Sequence, residues 1–188
     1  METINKKTIS EYILVNLLGW KITGEFPNLD KSVVIFAPHT SYWDGFFGKL
    51  FLMQLDINYK FLSKKEFFKF PLNLFFKAYG SIPVSQNKEY IDEIANIFNQ
   101  TESLHIVLSP EGQLPRTDHW KKGFYYMASR ANVPIVVSYI DYKKKEMGFK
   151  GVITDISNMS ETINKISMMY KDVNAKYPKD FALDKRYS

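Results

Sequence analysis

Apolar runs bounded by turn residues alternate along this chain with segments in which apolar residues recur at the period of a helix. Six short apolar runs predict strands, at residues 33–37, 58–62, 81–84, 104–108, 134–140 and 149–153. Six longer segments predict helices, at residues 10–20, 42–54, 65–78, 88–100, 120–131 and 160–175. This alternation predicts an α/β fold, a layered domain with a mostly parallel central sheet flanked by helices.

Nothing along the sequence marks a domain boundary. There is no internal repeat, no low-complexity tract and no linker rich in glycine, proline and serine. The chain has 188 residues, of which 45% are hydrophobic, and one domain of this size can bury a core. We therefore expect residues 1–188 to form a single domain.

Residues 1–22 predict an amphipathic N-terminal helix. The large apolar side chains gather on one side of the helical pattern, with lysines at both ends of the segment: Tyr12, Ile13, Leu17, Leu18 and Trp20, flanked by Lys6, Lys7 and Lys21. This pattern is typical of a helix lying at a membrane interface, and a helix that packs on its own domain explains it equally well. The first 20 residues contain neither an apolar run of ~18 residues nor a cleavage site, so we expect a cytoplasmic protein.

Charge and composition narrow the possible partners. The 25 basic and 20 acidic side chains leave a net charge of +5, which favours an acidic partner or an anionic membrane and does not require nucleic acid. The absence of cysteine excludes disulfides and thiolate chemistry. The motifs of nucleotide binding, serine hydrolysis and zinc binding do not occur, so neither a metal nor a cofactor is predicted.

The segment APHTSYWD, residues 37–44, places a histidine and a carboxylate at the end of a predicted strand. Thr40 or Ser41 can cap a helix that begins near Tyr42, which puts Asp44 in the first helical turn. Asp44 can then reach back to one nitrogen of His39 and leave the other nitrogen as a general base. The alternative, in which Ser41 and Asp44 only cap the helix and His39 is a loop residue, stays open.

Three further segments contain residues of interest. VLSPEGQLPR, residues 107–116, places Glu111 just beyond a predicted strand, at the edge where open α/β sheets collect their ligands. GSIPVSQNK and NVPIVVSYIDY, residues 80–88 and 132–142, by themselves indicate only turns and strands. His105, within an apolar strand, is predicted to be a core histidine with its hydrogen bonds satisfied, and His119 to mark a helix start.

In this order and at these separations, the four segments together resemble the glycerolipid acyltransferase family, the lysophosphatidic acid and glycerol-phosphate acyltransferases. The residues that match the four motifs of that family are His39 and Asp44; Gly80, Ile82 and Val84; Pro110, Glu111 and Gly112; and Val133, Pro134 and Ile135.

The resemblance implies that the chain is one acyltransferase domain with its core motifs in residues 33–142. It implies transfer of an acyl group from acyl-CoA or acyl-carrier protein to a hydroxyl of a lysolipid or glycerol-phosphate-type acceptor. His39 would be the base and Asp44 its support, with Gly80, Ile82, Glu111 and Gly112 binding substrate. The thioester is the only co-substrate implied, and the enzyme would attach peripherally to the cytoplasmic membrane. The oligomeric state stays open.

Two positions depart from the family pattern. Gln86 and Leu114 stand where the family usually has arginines that are implicated in gripping the acceptor phosphate. Neither side chain reproduces the bidentate grip of a guanidinium, which favours an acceptor with a neutral or zwitterionic head group. Alternatively, Lys88 and Arg116, two positions further along, bind the phosphate. A lipid-surface binding protein that keeps the fold without turnover is the remaining alternative function.

Overall fold

The computed structural model describes residues 6–84 and 89–186. It contains a seven-stranded sheet in the order β1-β7-β6-β2-β5-β3-β4, in which only the β6–β7 pair is antiparallel. The strands are β1 Lys21–Thr23, β2 Lys31–Ala37, β3 Tyr59–Lys64, β4 Ser81–Val84, β5 Leu104–Leu108, β6 Ile135–Asp141 and β7 Glu146–Ile153. The predicted α/β class and the mostly parallel central sheet are confirmed.

Six α-helices accompany the sheet in the described residues. They are α1 Lys6–Glu11, α2 Tyr42–Leu52, α3 Leu72–Tyr79, α4 Glu89–Gln100, α5 Gly123–Ala131 and α6 Met159–Met169. A π-helix, Tyr12–Leu17, continues α1, and short 3₁₀ helices lie at Lys65–Phe68 and Pro178–Asp180. The N-terminal helical segment therefore ends before Trp20, which lies just ahead of β1 and is buried.

The structure corrects two sequence predictions and adds one strand. The helix predicted at 65–78 is divided into a 3₁₀ turn and α3, because Pro71 has no amide hydrogen to continue a helix and disfavours helical geometry in the residue before it. The helix predicted at 160–175 ends at Met169. Strand β1 was not predicted, because three residues are too few to show an alternating pattern, and it forms through pairing with β7.

Both faces of the sheet are covered, since side chains alternate along each strand. Val33 and Ile35 of β2 face a core that includes Ile94 of α4, Phe124 of α5 and Ile163 of α6. The neighbouring side chains of β2 face the other core, formed with α2 and the N-terminal segment: Val34 and Phe36, with Leu14, Trp20 and Phe51.

The parallel register brings three chain segments to one edge of the sheet. Ile35 of β2 pairs with Leu108 of β5, and Ala37 of β2 pairs with Tyr139 of β6, so the carboxyl ends of these strands lie side by side. The residues that follow them, at 38–44, 109–112 and 142, therefore converge at the edge where α/β sheets bind ligands.

Candidate active site

The loop after β2 is shaped by the N-terminal cap of α2. The Ser41 hydroxyl accepts a hydrogen bond from the Trp43 amide at 3.3 Å. Asp44, in the first turn of α2, completes the capping box. Its Oδ2 accepts hydrogen bonds from the amides of Thr40 and Ser41, at 2.7 and 2.8 Å. The Asp44 side chain has no exposed surface. Ser41 and Asp44 are thus a capping pair, as one of the two sequence interpretations held.

The same carboxylate also faces His39. The Nδ1 atom of His39 lies 3.5 Å from Oδ2 of Asp44, and 28% of the His39 side chain is exposed. This separation exceeds an ordinary N–H···O hydrogen bond and lies within the distance of an ion pair. Capping by Asp44 does not exclude a role beside His39, because a carboxylate has enough lone pairs for backbone amides and an imidazole at once.

A tyrosine that the sequence analysis did not single out completes the surroundings of Asp44. The hydroxyl of Tyr142, one residue beyond β6, donates a 2.5 Å hydrogen bond to Oδ1 of Asp44. Burial, followed by the hydrogen bond to Asp44, raises the pKa of Tyr142. Because 98 residues separate the pair, no local spacing could have revealed it. The sequence offered one indirect signal: β2 and β6 could be predicted to end at the same edge of the sheet, which brings the residues after them close together.

Glu111 lies beneath the histidine loop. Its Oε1 accepts a hydrogen bond from the backbone amide of His39 at 2.8 Å, and its Oε2 accepts from the Ser109 hydroxyl at 2.5 Å. The side chain is buried, and this burial raises the pKa of the Glu111 carboxyl against the opposing effect of the two hydrogen bonds. Glu111 thus joins the loop after β5 to the main chain at His39.

Two glycines predicted at the site occupy left-handed turns. Gly112 has φ of +66°, and a Cβ there would lie 2.7 Å from Cγ of Lys121. Gly80 has φ of +86° and ends α3. Both positions favour glycine because a side chain strains this conformation. Ile82 follows in β4, half-buried against the core.

Of the four positions considered for phosphate recognition, two lie in the described part of the chain. Nη1 of Arg116 donates to the carbonyl oxygens of Lys179 and Phe181, at 3.2 and 2.9 Å, and its Nε lies 3.4 Å from Asp118. Arg116 thereby holds the C-terminal segment against the loop after β5. Leu114 is half-buried in that loop. Gln86 and Lys88 lie outside the described residues.

A second basic residue, missed in the sequence, lies next to the histidine loop. Nζ of Lys176 sits 5.7 Å from the ring centre of Trp43, 5.3 Å from that of Tyr142 and 6.0 Å from that of Tyr177. The Tyr177 amide also donates to the Thr40 hydroxyl at 3.2 Å. The C-terminal segment therefore packs directly on the loop that contains His39. Within residues 6–84 and 89–186, no cluster of histidines and carboxylates has the composition of a metal site.

Large apolar side chains are exposed near this edge. On α2 they are Tyr42, Trp43 and Phe46, and on and before α3 they are Phe70, Leu72, Leu74 and Phe75. The two groups belong to helices in contact, since the Tyr79 hydroxyl of α3 donates to the Gly45 carbonyl of α2 at 2.5 Å. In the part of the chain that the structure describes, no helix is both long and apolar enough to cross a membrane.

Comparisons with known proteins bear on the family and on the fold. A family model described as Acyltransferase matches residues 18–141. The fold is similar to the crystal structure of the 1-acyl-sn-glycerophosphate (LPA) acyltransferase PlsC from Thermotoga maritima, with a TM-score of 0.59 and 14% identity over 89% of this chain and 75% of that one. A comparison with curated proteins gave no match. Since the family model covers more than half of the sequence, and as the four motifs indicated, the chain belongs to the acyltransferase family.

Proposed function

We propose that this acyltransferase moves a fatty acyl group from acyl-CoA or acyl-carrier protein to a hydroxyl of a lysolipid or glycerol-phosphate-type acceptor, with His39 as general base. The observation that carries the proposal is the pairing of a partly exposed imidazole with a buried carboxylate, 3.5 Å apart, at the carboxyl edge of the sheet. The similar Thermotoga protein is an LPA acyltransferase, which supports this substrate class. In this proposal residues 1–188 act as one acyltransferase domain.

The proposed chemistry needs no acyl-enzyme. Nε2 of His39 takes the proton of the acceptor hydroxyl while the hydroxyl oxygen bonds to the thioester carbonyl carbon. Asp44 beside Nδ1 stabilises the imidazolium that forms. When the tetrahedral intermediate collapses, the C–S bond breaks and the imidazolium returns the proton to the leaving thiolate. The products are an ester and a free thiol.

The substrate-binding residues divide into two kinds in this proposal. Glu111 and Gly112 shape the loop after β5, and Gly80 and Ile82 shape the turn into β4, so that the loops present their backbone to substrate. Lys88 and Arg116 are the proposed contacts to an acceptor phosphate. Phosphate binding by Arg116 has to compete with the carbonyls of Lys179 and Phe181.

Transfer is tested by mixing purified protein with long-chain acyl-CoA or acyl-carrier protein and a panel of lysolipids, and measuring both free thiol and acylated lipid. A reaction without acceptor separates transfer from hydrolysis of the thioester. We expect thiol release that depends on acceptor and matches ester formation. Lipid binding without thiol release from any donor would instead support the non-catalytic lipid-surface protein.

The acceptor is tested by competition between lysophosphatidic acid and zwitterionic lysolipids. Leu114→Arg adds back one guanidinium of the family pattern, and we expect it to raise the relative use of lysophosphatidic acid by about tenfold. Lys88→Ala with Arg116→Ala tests the displaced phosphate contacts. If wild type strongly prefers lysophosphatidic acid and only this double variant loses the preference, the displaced residues bind the phosphate.

We also propose that the protein attaches peripherally to the cytoplasmic membrane. The N-terminal segment exposes Tyr12 and Leu17, and the segment around α3 exposes Phe70, Leu74 and Phe75. Lys69 and Lys77 lie exposed among the α3 group and suit anionic head groups. Burying one such apolar side chain contributes roughly 1.5–3 kcal/mol, so a handful of them suffices for attachment.

Flotation with anionic and neutral vesicles tests this attachment. Phe70→Ser, Leu74→Ser and Phe75→Ser combined should remove most of the vesicle-bound fraction and leave the folded core unchanged. Tyr126→Ser with Met168→Ser, also exposed but on α5 and α6, is the matched control. A wild-type protein that stays in the soluble fraction with both lipids contradicts the proposal.

A further inference from the structure

Tyr142 contacts the proposed dyad and lies outside the region that the family model matches. The matched region ends at residue 141, one position before it. Its hydroxyl nevertheless donates a 2.5 Å hydrogen bond to Oδ1 of Asp44, the oxygen opposite the one that faces His39. A short hydrogen bond to an ionised carboxylate belongs to the stronger class of such bonds. Tyr142 is therefore placed to determine how the carboxylate is oriented.

Both oxygens of Asp44 have partners, and their partners differ. Oδ2 accepts from the amides of Thr40 and Ser41 and faces Nδ1 of His39. Oδ1 accepts from the Tyr142 hydroxyl. The two backbone amides fix one oxygen near the loop, and the phenol fixes the other, so the plane of the carboxylate is held from two sides. Without the phenol, only the loop amides would oppose rotation of this plane.

The tyrosine itself is held rigidly. Its ring packs edge-on against Trp20 at 5.2 Å and against Phe47 at 6.1 Å between ring centres. Its backbone amide donates to the Asn174 carbonyl at 2.9 Å. The ammonium of Lys176 lies 5.3 Å from the ring centre, where it attracts the aromatic face. These contacts from three parts of the chain leave the hydroxyl directed at Asp44.

We propose that Tyr142 is a positioning residue for acyl transfer, which holds Asp44 so that Oδ2 faces the imidazole of His39. This inference rests on the proposed function, since it assigns Tyr142 a role through the dyad. The phenol touches neither substrate nor reacting atoms. Its effect is to keep the carboxylate in place as positive charge develops on His39, when support for the imidazolium matters most.

The charge state of Tyr142 agrees with this role. Burial and the contact with Asp44 raise the pKa of the phenol well above its usual range, so it stays a neutral donor at physiological pH. The titratable and charged groups near it include Asp44, Tyr177 and Lys176. Because an ionised carboxylate only accepts hydrogen bonds, the protonated phenol of Tyr142 is the donor in its contact with Asp44.

Tyr142→Phe is the direct test, and Tyr139→Phe is its matched control. The Tyr139 hydroxyl also donates to a carboxylate, that of Glu146, but this residue belongs to the core on the other face of the sheet. We expect Tyr142→Phe to lower kcat about 10- to 100-fold with KM for the thioester changed less than about twofold. We expect Tyr139→Phe to leave kcat within about twofold.

The pH profile separates positioning from a purely structural role. A carboxylate that is no longer held by the phenol supports the imidazolium less well, so the acid limb of kcat/KM should move to lower pH in Tyr142→Phe. If kcat stays near wild type, or falls only in proportion to the folded fraction with the acid limb unmoved, the assignment is overturned. His39→Ala, measured in parallel, separates failure of the proposed function from failure of the tyrosine role. An active His39→Ala enzyme would overturn both the dyad and the role of Tyr142.

Discussion

Two histidines lie at opposite ends of the central strands and differ in nearly every property that decides chemistry. His39 follows the carboxyl end of β2, keeps 28% of its side chain exposed and faces a carboxylate. His105 lies near the amino end of β5, has no exposed surface, and shares a 2.8 Å hydrogen bond with the Ser32 hydroxyl. Ser32 and Ala37 are five positions apart in β2, a length of ~17 Å along a strand.

The comparison shows that burial and partner, rather than residue type, decide what a histidine does. Burial lowers the pKa of His105 to about 4, so that its ring is neutral. The ring lies nearly perpendicular to that of Phe26, with ring centres 4.8 Å apart. Its Nε2 has no hydrogen-bond partner in the described part of the chain. The ring of His39 faces the carboxylate of Asp44, and part of the side chain is exposed to solvent. Our proposal therefore assigns proton transfer to His39 and not to His105.

The largest expected effect separates the two histidines by activity. We expect His39→Ala and Asp44→Asn each to lower kcat by about 10²- to 10⁴-fold, because general-base assistance contributes this much. Asp44→Asn should act chiefly through the wrong imidazole tautomer and an unsupported imidazolium. Initial rates of thiol release from the acyl donor measure the effect.

The controls for this prediction are His105→Gln, which we expect to keep turnover within a few-fold, and circular dichroism of every variant. A folded His39→Ala or Asp44→Asn protein with near wild-type turnover would show that the base is elsewhere.

The α/β class and most of the strands could be predicted because apolar runs such as Val33 to Ala37 are long enough to report burial on both faces. The short strand β1 could not, since its three residues are fixed by pairing with Glu146, Met147 and Gly148. The N-terminal segment was predicted as helical, but Trp20 is buried beyond its end, against Phe47 and Tyr142. Such contacts depend on the tertiary structure and leave no local pattern.

Part of the candidate site could also be predicted from the sequence, and part could not. The pairing of His39 with Asp44 and the cap at Ser41 were predictable, because they are formed within six residues. The contacts made by Glu111 and Tyr142 were not, since they connect loops 72 and 98 residues apart. His105 was predicted as a core histidine with its hydrogen bonds satisfied. The core position is correct, whereas only Nδ1 has a partner.

The second prediction concerns acid stability and the other histidine. The folded-state pKa of His105, about 4, is below its ordinary value of 6.5, so the unfolded chain binds the proton first. The stabilisation is fully present above pH 6.5 and is lost as the pH falls toward 4, by about 3 kcal/mol in all. Urea unfolding of wild type and His105→Gln between pH 7.5 and 4 should show a shallower pH dependence in the variant. His119→Gln, at an exposed site, should follow wild type, and parallel curves for all three would refute this account.

The third prediction tests how Glu111 supports His39. Glu111→Ala leaves the His39 amide without its carboxylate partner, so we expect kcat to fall about 10- to 100-fold. Glu111→Gln should recover most of the rate, because an amide oxygen can accept from His39 and its NH₂ group can donate to the Ser109 hydroxyl. Equal losses in both variants would mean that the negative charge of Glu111, rather than its hydrogen bonds, is required.

The smallest effect is expected at the amino end of the strands, where Ser32→Ala removes the hydroxyl that pairs with Nδ1 of His105. Because both ring nitrogens would then lack protein partners, the free energy of unfolding should fall by about 1–3 kcal/mol. Turnover should stay within about twofold of wild type, since the dyad is ~17 Å away along the strand. Ser129→Ala, at an exposed serine of α5, should change stability by less than about 0.5 kcal/mol. A Ser32→Ala enzyme that lost rate and kept its stability would show that the two ends of the sheet are coupled, and would break the division of roles between the histidines.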